Sequence, residues 1–463
     1  MNPVAIPPRI VIAGTHSGCG KTTLTVGITA ALHGQGYSVA TAKVGPDYID
    51  TGYLAVASKR PSRNLDVFLS SEKMILPLAK KAATGSDFLI VEGVMGLYDG
   101  IGSTAQGSTA HVSKLLYSPV ILVVDGSSMS LSVAALVNGY LNYDPDVRIG
   151  GIILNRVGSV RHESILRDAL AKCEVPIVGV VPRHRDIVWP SRHLGLVPPV
   201  EYSKQVEESV ARLSEIARDC IDLNVLEAIA ASASPVSTKN VMRAKEVGDV
   251  VIGYASGAAF SFLYADNMER LAEAGATLVP FDPLHDTHLP SGVRGLYLCG
   301  GFPEVYAELL AGNSTLLEDI RSAASAGVPV WAECGGLALL SRCIGDFEMA
   351  GVIDTYTSMR DKLVVGYRTA KARSSSFLLA TGESVRGHEF HHTVVEPAGG
   401  ALDISSMAPD TQTVQGGFAS KSLFASYLHV HMGADTILAE RFVAACSALR
   451  HPLSDHTMRY LLD

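Results

Sequence analysis

The chain has 463 residues, 47% hydrophobic, 18% charged and 6% aromatic, which excludes a disordered polymer and supplies apolar material for more than one core. A formal net charge of -8 with a pI near 6.0 excludes a global attraction to nucleic acid or to an anionic membrane. Seven cysteines without short paired spacings argue against a disulfide framework or a zinc cage. No apolar run is long enough for a signal peptide or a membrane helix, so a cytoplasmic protein is expected.

In chain order, RIVIAG (9–14) reads as a buried strand and KTTLTVGITAALHGQG as the helix after it, stopped by glycine. SVATAKVG (38–45), DFLIVEGVMG (87–96), PVILVVDG (119–126), RIGGIILNRV (148–157) and PIVGVVPR (176–183) continue the strand series. Val- and Ile-rich runs separated by helix-length segments predict a parallel sheet covered on both faces. Residues 202–230 read as one helix, and the small, polar ASASPVSTKN (231–240) reads as linker. A second strand series follows in VVIGYA (250–255), TLVPF (277–281), GLYLCGG (295–301) and VPVWAECGG (328–336). The expectation is an α/β protein with a domain over residues 1–230, a linker over 231–247 and a second domain over 248–463.

GTHSGCGKTT (14–23) lies between the first strand and the first helix, the setting of a phosphate-binding loop. Gly14, Thr15, Gly18, Cys19, Gly20, Lys21, Thr22 and Thr23 are its candidate nucleotide-binding residues. Glycines let backbone N–H groups approach phosphate oxygens, Lys21 reaches terminal phosphates, and the Thr22 hydroxyl suits Mg²⁺. The spacing is one residue longer than GxxxxGK[ST], a form that resembles dethiobiotin-synthetase-like enzymes. A glycine-rich turn without a ligand is the bland alternative. Asp47 and Glu92 follow strands at the end of the sheet where ligands bind, so both are candidate Mg²⁺ ligands. Asp99 and Asp125 are weaker candidates. Asn155, ending its strand, is read as a contact to a purine edge or as a turn cap.

In VPVWAECGG, Cys334 occupies a sharp strand-to-helix turn, the geometry that lifts a nucleophile above a sheet. The helix start behind it is expected to favour the thiolate. SYLHVHMG (426–433) supplies His429 as the base such a nucleophile needs. The pattern resembles class I glutamine amidotransferases, in which a His-Pro-Glu segment provides base and orienting carboxylate. Here His431 stands where that Glu would be, leaving a Cys-His dyad with its orienting group open. LCGGFPE (298–304) offers the N–H of Gly301, with that of Gly335, as oxyanion donors. RGHEFHH (386–392) is a histidine cluster whose spacing could bind metal, and it is read rather as shaping a domain face or the substrate site.

Together with KVGPDYIDTGY, SRNLD (62–66), EGVMGLYDG, GSTA (107–110), NRV and SRHLGL (191–196), these motifs occur in an order that resembles the cobyrinic and hydrogenobyrinic acid a,c-diamide synthase family over nearly the whole chain. The resemblance implies that ATP with Mg²⁺ activates corrin acetate carboxylates and that ammonia from L-glutamine converts them to amides. It implies cations for a polycarboxylate, with Arg63, Arg192 and His193 as candidates and Arg183 a weaker one. It leaves room for a homodimer, with no nucleic-acid or membrane partner. Diamidation of nickel sirohydrochlorin shares these motifs. Cobyric acid synthase typically reads YLHG where this chain reads YLHVH. A phosphate-loop switch ATPase has no use for Cys334 with His429.

Overall fold

Strands with Val and Ile on both faces can be satisfied only by a sheet covered on both sides, and the chain builds two of them. The computed structural model describes residues 6–183, 191–192, 195–196, 198–236, 248–407 and 412–449. It divides into two compact units, Met1–Val241 and Met242–Asp463.

The first unit runs β1 (Arg9–Gly14), α1 (Lys21–Gly34), β2 (Val39–Val44), α2 (Ile49–Ser58), β3 (Arg63–Leu65), α3 (Val67–Ser70), α4 (Glu72–Ala82), β4 (Phe88–Glu92), α5 (Thr109–Leu115), β5 (Val120–Asp125), α6 (Ser132–Tyr143), β6 (Ile149–Val157), α7 (Val160–Leu170) and β7 (Ile177–Pro182). A two-residue ribbon, β8 (Ser191–Arg192) with β9 (Gly195–Leu196), precedes α8 (Ser203–Cys220) and α9 (Leu223–Ala231). The sheet order is β3-β2-β4-β1-β5-β6-β7, with every pairing parallel. Alternate residues of β1 enter opposite cores. Val11 and Ala13 pack with Leu89 and Val91, whereas Ile10 and Ile12 pack with Ile90 and Val123. This arrangement collects the carboxyl ends of β1, β2 and β4 beside the loop that opens α1.

Two local features depart from the sequence expectation. The helix expected over 202–230 is two helices. Ile221 bridges back to Gly179, and the Asp222 carboxylate caps α9 by accepting from the N–H groups of Asn224 and Val225, each at 3.1 Å. The short edge strand β3 carries SRNLD into the sheet, pairing Arg63 with Ala42.

The second unit comprises β10 (Val250–Ala255), α10 (Ala265–Glu273), β11 (Ala276–Phe281), β12 (Gly295–Leu298), α11 (Ala307–Gly312), α12 (Ser314–Ser325), β13 (Val330–Glu333), α13 (Gly335–Leu340), β14 (Cys343–Ile344), β15 (Phe347–Glu348), β16 (Tyr356–Ala372), β17 (Ser384–Glu396), β18 (Leu402–Ser406), β19 (Val414–Gly416), β20 (Phe418–Ala419), β21 (Leu423–Ser426) and α14 (Ile437–Ser447). One sheet runs β11-β10-β12-β13-β21-β20, parallel except for the last pair. A second sheet, built around β16, pairs it with β14, β17 and β18. Trp331 on β13 is fully buried and meets Tyr297, Phe424 and Phe442 edge-on, with ring centroids 5.6, 6.4 and 5.8 Å away.

Candidate active sites

In the first unit, Gly18 and Gly20 hold φ of +83° and +98°, left-handed values that a side chain would oppose. At Gly20 a Cβ would also stand 2.2 Å from Nδ2 of Asn155. The Asn155 amide donates to the Cys19 carbonyl at 2.9 Å, and its oxygen accepts from the Arg156 N–H at 2.9 Å. Asn155 thus ties the loop to the end of β6. Beside it opens a cleft of about 210 Å³ lined by Gly20, Thr23, Asn155, Arg156, Val181 and Pro182. Lys21 is buried and donates to the carbonyls of His16 at 3.2 Å and Met95 at 2.6 Å, and its burial pulls the ammonium pKa down.

Thr22 donates to Oε1 of Glu92 at 2.6 Å, joining the first residues of α1 to the end of β4. Glu92 is fully buried, and burial raises its pKa. Its Oε1 also accepts from Lys43 at 2.8 Å, while Oε2 has no hydrogen-bond partner. Lys43 further bonds Asp50 at 2.6 Å and the Gly93 carbonyl at 3.1 Å. Asp47 accepts from the Asp50 N–H at 2.7 Å, and burial followed by the Asp50 charge pushes its carboxyl up to about 7. Asn64 donates to the carbonyls of Gly45 and Asp47, each at 2.8 Å, and so shapes the turn that presents Asp47.

Lys43, Asp50 and Asn64 escaped the sequence reading. The signal was a lysine inside an apolar strand, which needs a buried counter-charge nearby. Arg63 is buried on the edge strand. The backbone of Arg192 lies in the short ribbon, and His193 lies outside the described residues. Asp125 pairs with Arg156 at 2.6 Å, and Asp99 accepts from the Gly96 N–H at 2.9 Å.

In the second unit, Cys334 has φ 49° and ψ −103°, a left-handed strain at a non-glycine residue immediately after β13. Its N–H donates to the Ser426 carbonyl at 2.8 Å, which fixes the turn against the end of β21. The Cys334 thiol points to the Phe390 carbonyl at 3.7 Å. A Cβ on Gly335 would lie 3.1 Å from the Gly301 nitrogen, so these two backbone donors are neighbours. A Cβ on Gly300 would lie 2.2 Å from Cε1 of His429. The two-glycine turn after β12 therefore touches both the Cys334 turn and the His429 ring.

His429 is fully buried, which excludes a surface-loop role. It exchanges backbone hydrogen bonds with His388 on β17, at 2.9 and 3.0 Å. Burial, then the neighbouring His388 and His391, holds its imidazole well below the usual pKa. It is neutral at neutral pH, the form a base requires. His431, expected in place of an orienting carboxylate, pairs with Asp266 at 3.5 Å and meets Tyr264 edge-on.

The expected thiolate at Cys334 is corrected. Burial, reinforced by Glu304, Glu389 and Glu333, pushes the thiol well up, and the six-residue α13 does not offset it. The resting pair is thiol and imidazole. RGHEFHH, on β17, also belongs to this site. Phe390 approaches the sulfur, and His391 stacks on Tyr427 with centroids 3.8 Å apart.

The sequence reading missed Glu333, a carboxyl just before the nucleophile. It is buried, accepts from Tyr297 and from the Val430 N–H, and is pushed up to about 8 by desolvation. Leaving such a group without partners costs about 1–3 kcal/mol, so its hydrogen bonds are structurally consequential.

Two family descriptions match the two units. Residues 10–197 match a CobQ/CobB/MinD/ParA nucleotide binding domain, and residues 251–437 match a CobB/CobQ-like glutamine amidotransferase domain. A hydrogenobyrinate a,c-diamide synthase of Streptomyces coelicolor is 44% identical over 95% of this chain and 97% of its own length. A cobyrinate a,c-diamide synthase of Caldanaerobacter subterraneus subsp. tengcongensis is 42% identical over 95% of this chain and 98% of its own.

Proposed function

The chain belongs to the family of cobyrinate and hydrogenobyrinate a,c-diamide synthases, glutamine-hydrolysing amide-forming ligases, and on that premise we propose that it amidates the a- and c-acetate carboxylates of cobyrinic or hydrogenobyrinic acid in cobalamin biosynthesis, using ATP and L-glutamine. The observation that carries this reading is the presence, in one chain, of a phosphate loop bonded to the buried Glu92 and a strained cysteine turn beside a buried histidine. A cytoplasmic location and assembly as a homodimer belong to the same proposal.

In the glutaminase half, the Cys334 sulfur attacks the amide carbon of glutamine while His429 takes the thiol proton. The N–H groups of Gly301 and Gly335 stabilise the oxyanion as the C–N bond breaks. His429 returns its proton to the departing ammonia, and water then releases glutamate from the thioester. A neutral thiol–imidazole pair suits this order, because charge separates only when an acyl group is present.

In the synthetase half, a carboxylate oxygen of the corrinoid attacks the γ-phosphorus of ATP and ADP leaves. Ammonia attacks the resulting acyl phosphate, phosphate departs, and a proton is lost to give the amide. Lys21 and the loop N–H groups face the developing negative charge. The nucleotide base fits the cleft beside Asn155, where a purine contact requires exchange of that amide's loop hydrogen bonds. The donor set fits Mg²⁺, since Oε2 of Glu92 is a buried oxygen in need of a partner, next to Thr22. Thr22, Glu92 and Asp47 would hold the ion, which supplies charge neutralisation on the phosphates when bound. Arg63, Arg192 and His193 are proposed to receive corrin carboxylates.

The test is mass spectrometry of cobyrinic acid, hydrogenobyrinic acid and nickel sirohydrochlorin after incubation with enzyme, Mg-ATP and glutamine. Each amidation replaces OH by NH₂ and lowers the mass by about one unit, and acyl-phosphate chemistry makes it depend on ATP. Two successive ATP-dependent losses on a corrinoid are expected. Two losses confined to nickel sirohydrochlorin would overturn the substrate assignment, and no loss on any substrate would overturn the activity.

A further inference from the structure

We propose that Asn267, Tyr297 and Glu333 form a buried positioning network that fixes the His429 segment in register with Cys334, and that glutaminase turnover depends on it. The proposal rests on the glutaminase reading of Cys334 and His429. Each of the three residues is at most 1% exposed. Glu333 precedes the nucleophile directly, and its Oε1 accepts from the Val430 N–H at 3.2 Å, the residue directly after His429. The Tyr297 hydroxyl donates to Glu333 Oε2 at 3.1 Å and accepts from Asn267 Nδ2 at 3.3 Å. The same Asn267 amide donates to the Val430 carbonyl at 2.7 Å, and its oxygen accepts from the Met432 N–H at 2.7 Å.

The chain of contacts is short and closed. Both backbone groups of Val430 are held, one by Glu333 and the other by Asn267, and Tyr297 joins the two side chains. One peptide bond separates this ring from His429, and one separates it from Cys334. The opposite side of His429 is fixed by its backbone exchange with His388. Two further residues of α10 extend the grip, with Arg270 donating to the Gly433 carbonyl at 2.7 Å and Asp266 meeting His431 at 3.5 Å. An amphipathic helix normally buries apolar side chains, yet α10 buries Asp266, Asn267 and Arg270 against this one segment. Such a buried polar network specifies one arrangement, because any other leaves its groups unpaired. None of the three residues has a proton to exchange with glutamine in this scheme. They act through His429, whose placement to within about 1 Å governs rate.

The experiment uses the full chain with Tyr297→Phe, Asn267→Ala, Glu333→Ala and Glu333→Gln. It measures glutamate release, ammonia-dependent amidation and the pH dependence of iodoacetamide alkylation at Cys334, mapped by peptide mass. Tyr297→Phe is expected to lower glutaminase kcat at least about tenfold, and Asn267→Ala and Glu333→Ala about a hundredfold. KM for glutamine is expected to stay within about threefold and ammonia-dependent amidation to stay unchanged. Glu333→Gln keeps an acceptor for the Val430 N–H and is expected to recover to within about threefold of the parent. The alkylation profile of Tyr297→Phe is expected to move away from the parent's. A folded Tyr297→Phe and Asn267→Ala with parental glutaminase and alkylation profiles would overturn the proposal. So would losses that only track the folded fraction and strike both nitrogen sources equally. A parent enzyme that releases no glutamate would sink the glutaminase reading itself, and the alkylation profiles would still decide whether the network positions His429.

Discussion

Lys43 places a cation inside the strand VATAKV, where it is 3% exposed, and the charges around it explain much of the phosphate site. It compensates the buried Glu92 and the half-buried Asp50 when no other cation is near, so these carboxylates do not destabilise the fold. Asp47 accepts from the Asp50 N–H, and its carboxyl is pushed up to about 7 by burial and by Asp50. Below that pH it is neutral, and above it carries the charge a divalent ion attracts. Mg²⁺ affinity of the ATP-loaded enzyme, measured by calorimetry, is therefore expected to rise between about pH 6 and about pH 8 and then level off. Asp47→Asn is expected to flatten that rise. A parental enzyme with no pH dependence there would remove Asp47 from the ion's surroundings. The position of Asp47 and Glu92 near the phosphate loop was legible because one follows a strand and the other ends one beside a glycine-rich turn. Lys43 signals a buried counter-charge from its place in an apolar strand, but the sequence does not say which carboxylates answer it, and only the fold brings Asp50 and Glu92 to it.

The turn between β13 and α13 was readable from AECGG, since a small-residue stretch between a strand and a helix admits few other geometries. Its consequence is a prediction at Gly335. A methyl there would press on Pro303 at 2.9 Å and lie 3.1 Å from the Gly301 nitrogen. Gly335→Ala is expected to lower glutaminase kcat by about 10²–10³-fold, the usual cost of one lost oxyanion donor. Ammonia-dependent amidation is the control that should not change, and full glutaminase activity in this variant would displace the oxyanion site from the two glycines. The long pair β16 and β17 was invisible to pattern reading. Its charged MRDK stretch interrupts the alternation, and a register shift falls between Met359 and Val364. Within the sheet, β16 is held by β17 on one side and β18 on the other, which are contacts of long sequence separation. RGHEFHH was therefore seen as a histidine cluster without its place. That place became clear only when β17 brought Phe390 to the Cys334 sulfur and His388 to His429.

At the scale of the whole chain, two parallel-sheet units carry two different elbows. One strand-to-helix turn is lined with backbone N–H groups and a lysine, suited to phosphate. The other presents a thiol under strain, suited to an acyl carbon. Both turns were legible because a parallel sheet gathers its loops at one end, where glycine, lysine and cysteine stand out against apolar strands. The positioning network was not legible, because Asn267, Tyr297 and Glu333 come from separate elements and look individually like ordinary polar residues. The proposed function divides the labour, with one unit freeing ammonia and the other activating a carboxylate.

The most direct test is amidation of cobyrinic or hydrogenobyrinic acid by the parent, Cys334→Ala and Lys21→Ala, each with glutamine and then with ammonium as nitrogen source. Cys334→Ala is expected to lose glutamine-dependent amidation and keep most of the ammonia-dependent rate, whereas Lys21→Ala is expected to lose both to about a hundredth or less. Folded Cys334→Ala that still works with glutamine, or folded Lys21→Ala that amidates normally from either source, would contradict it.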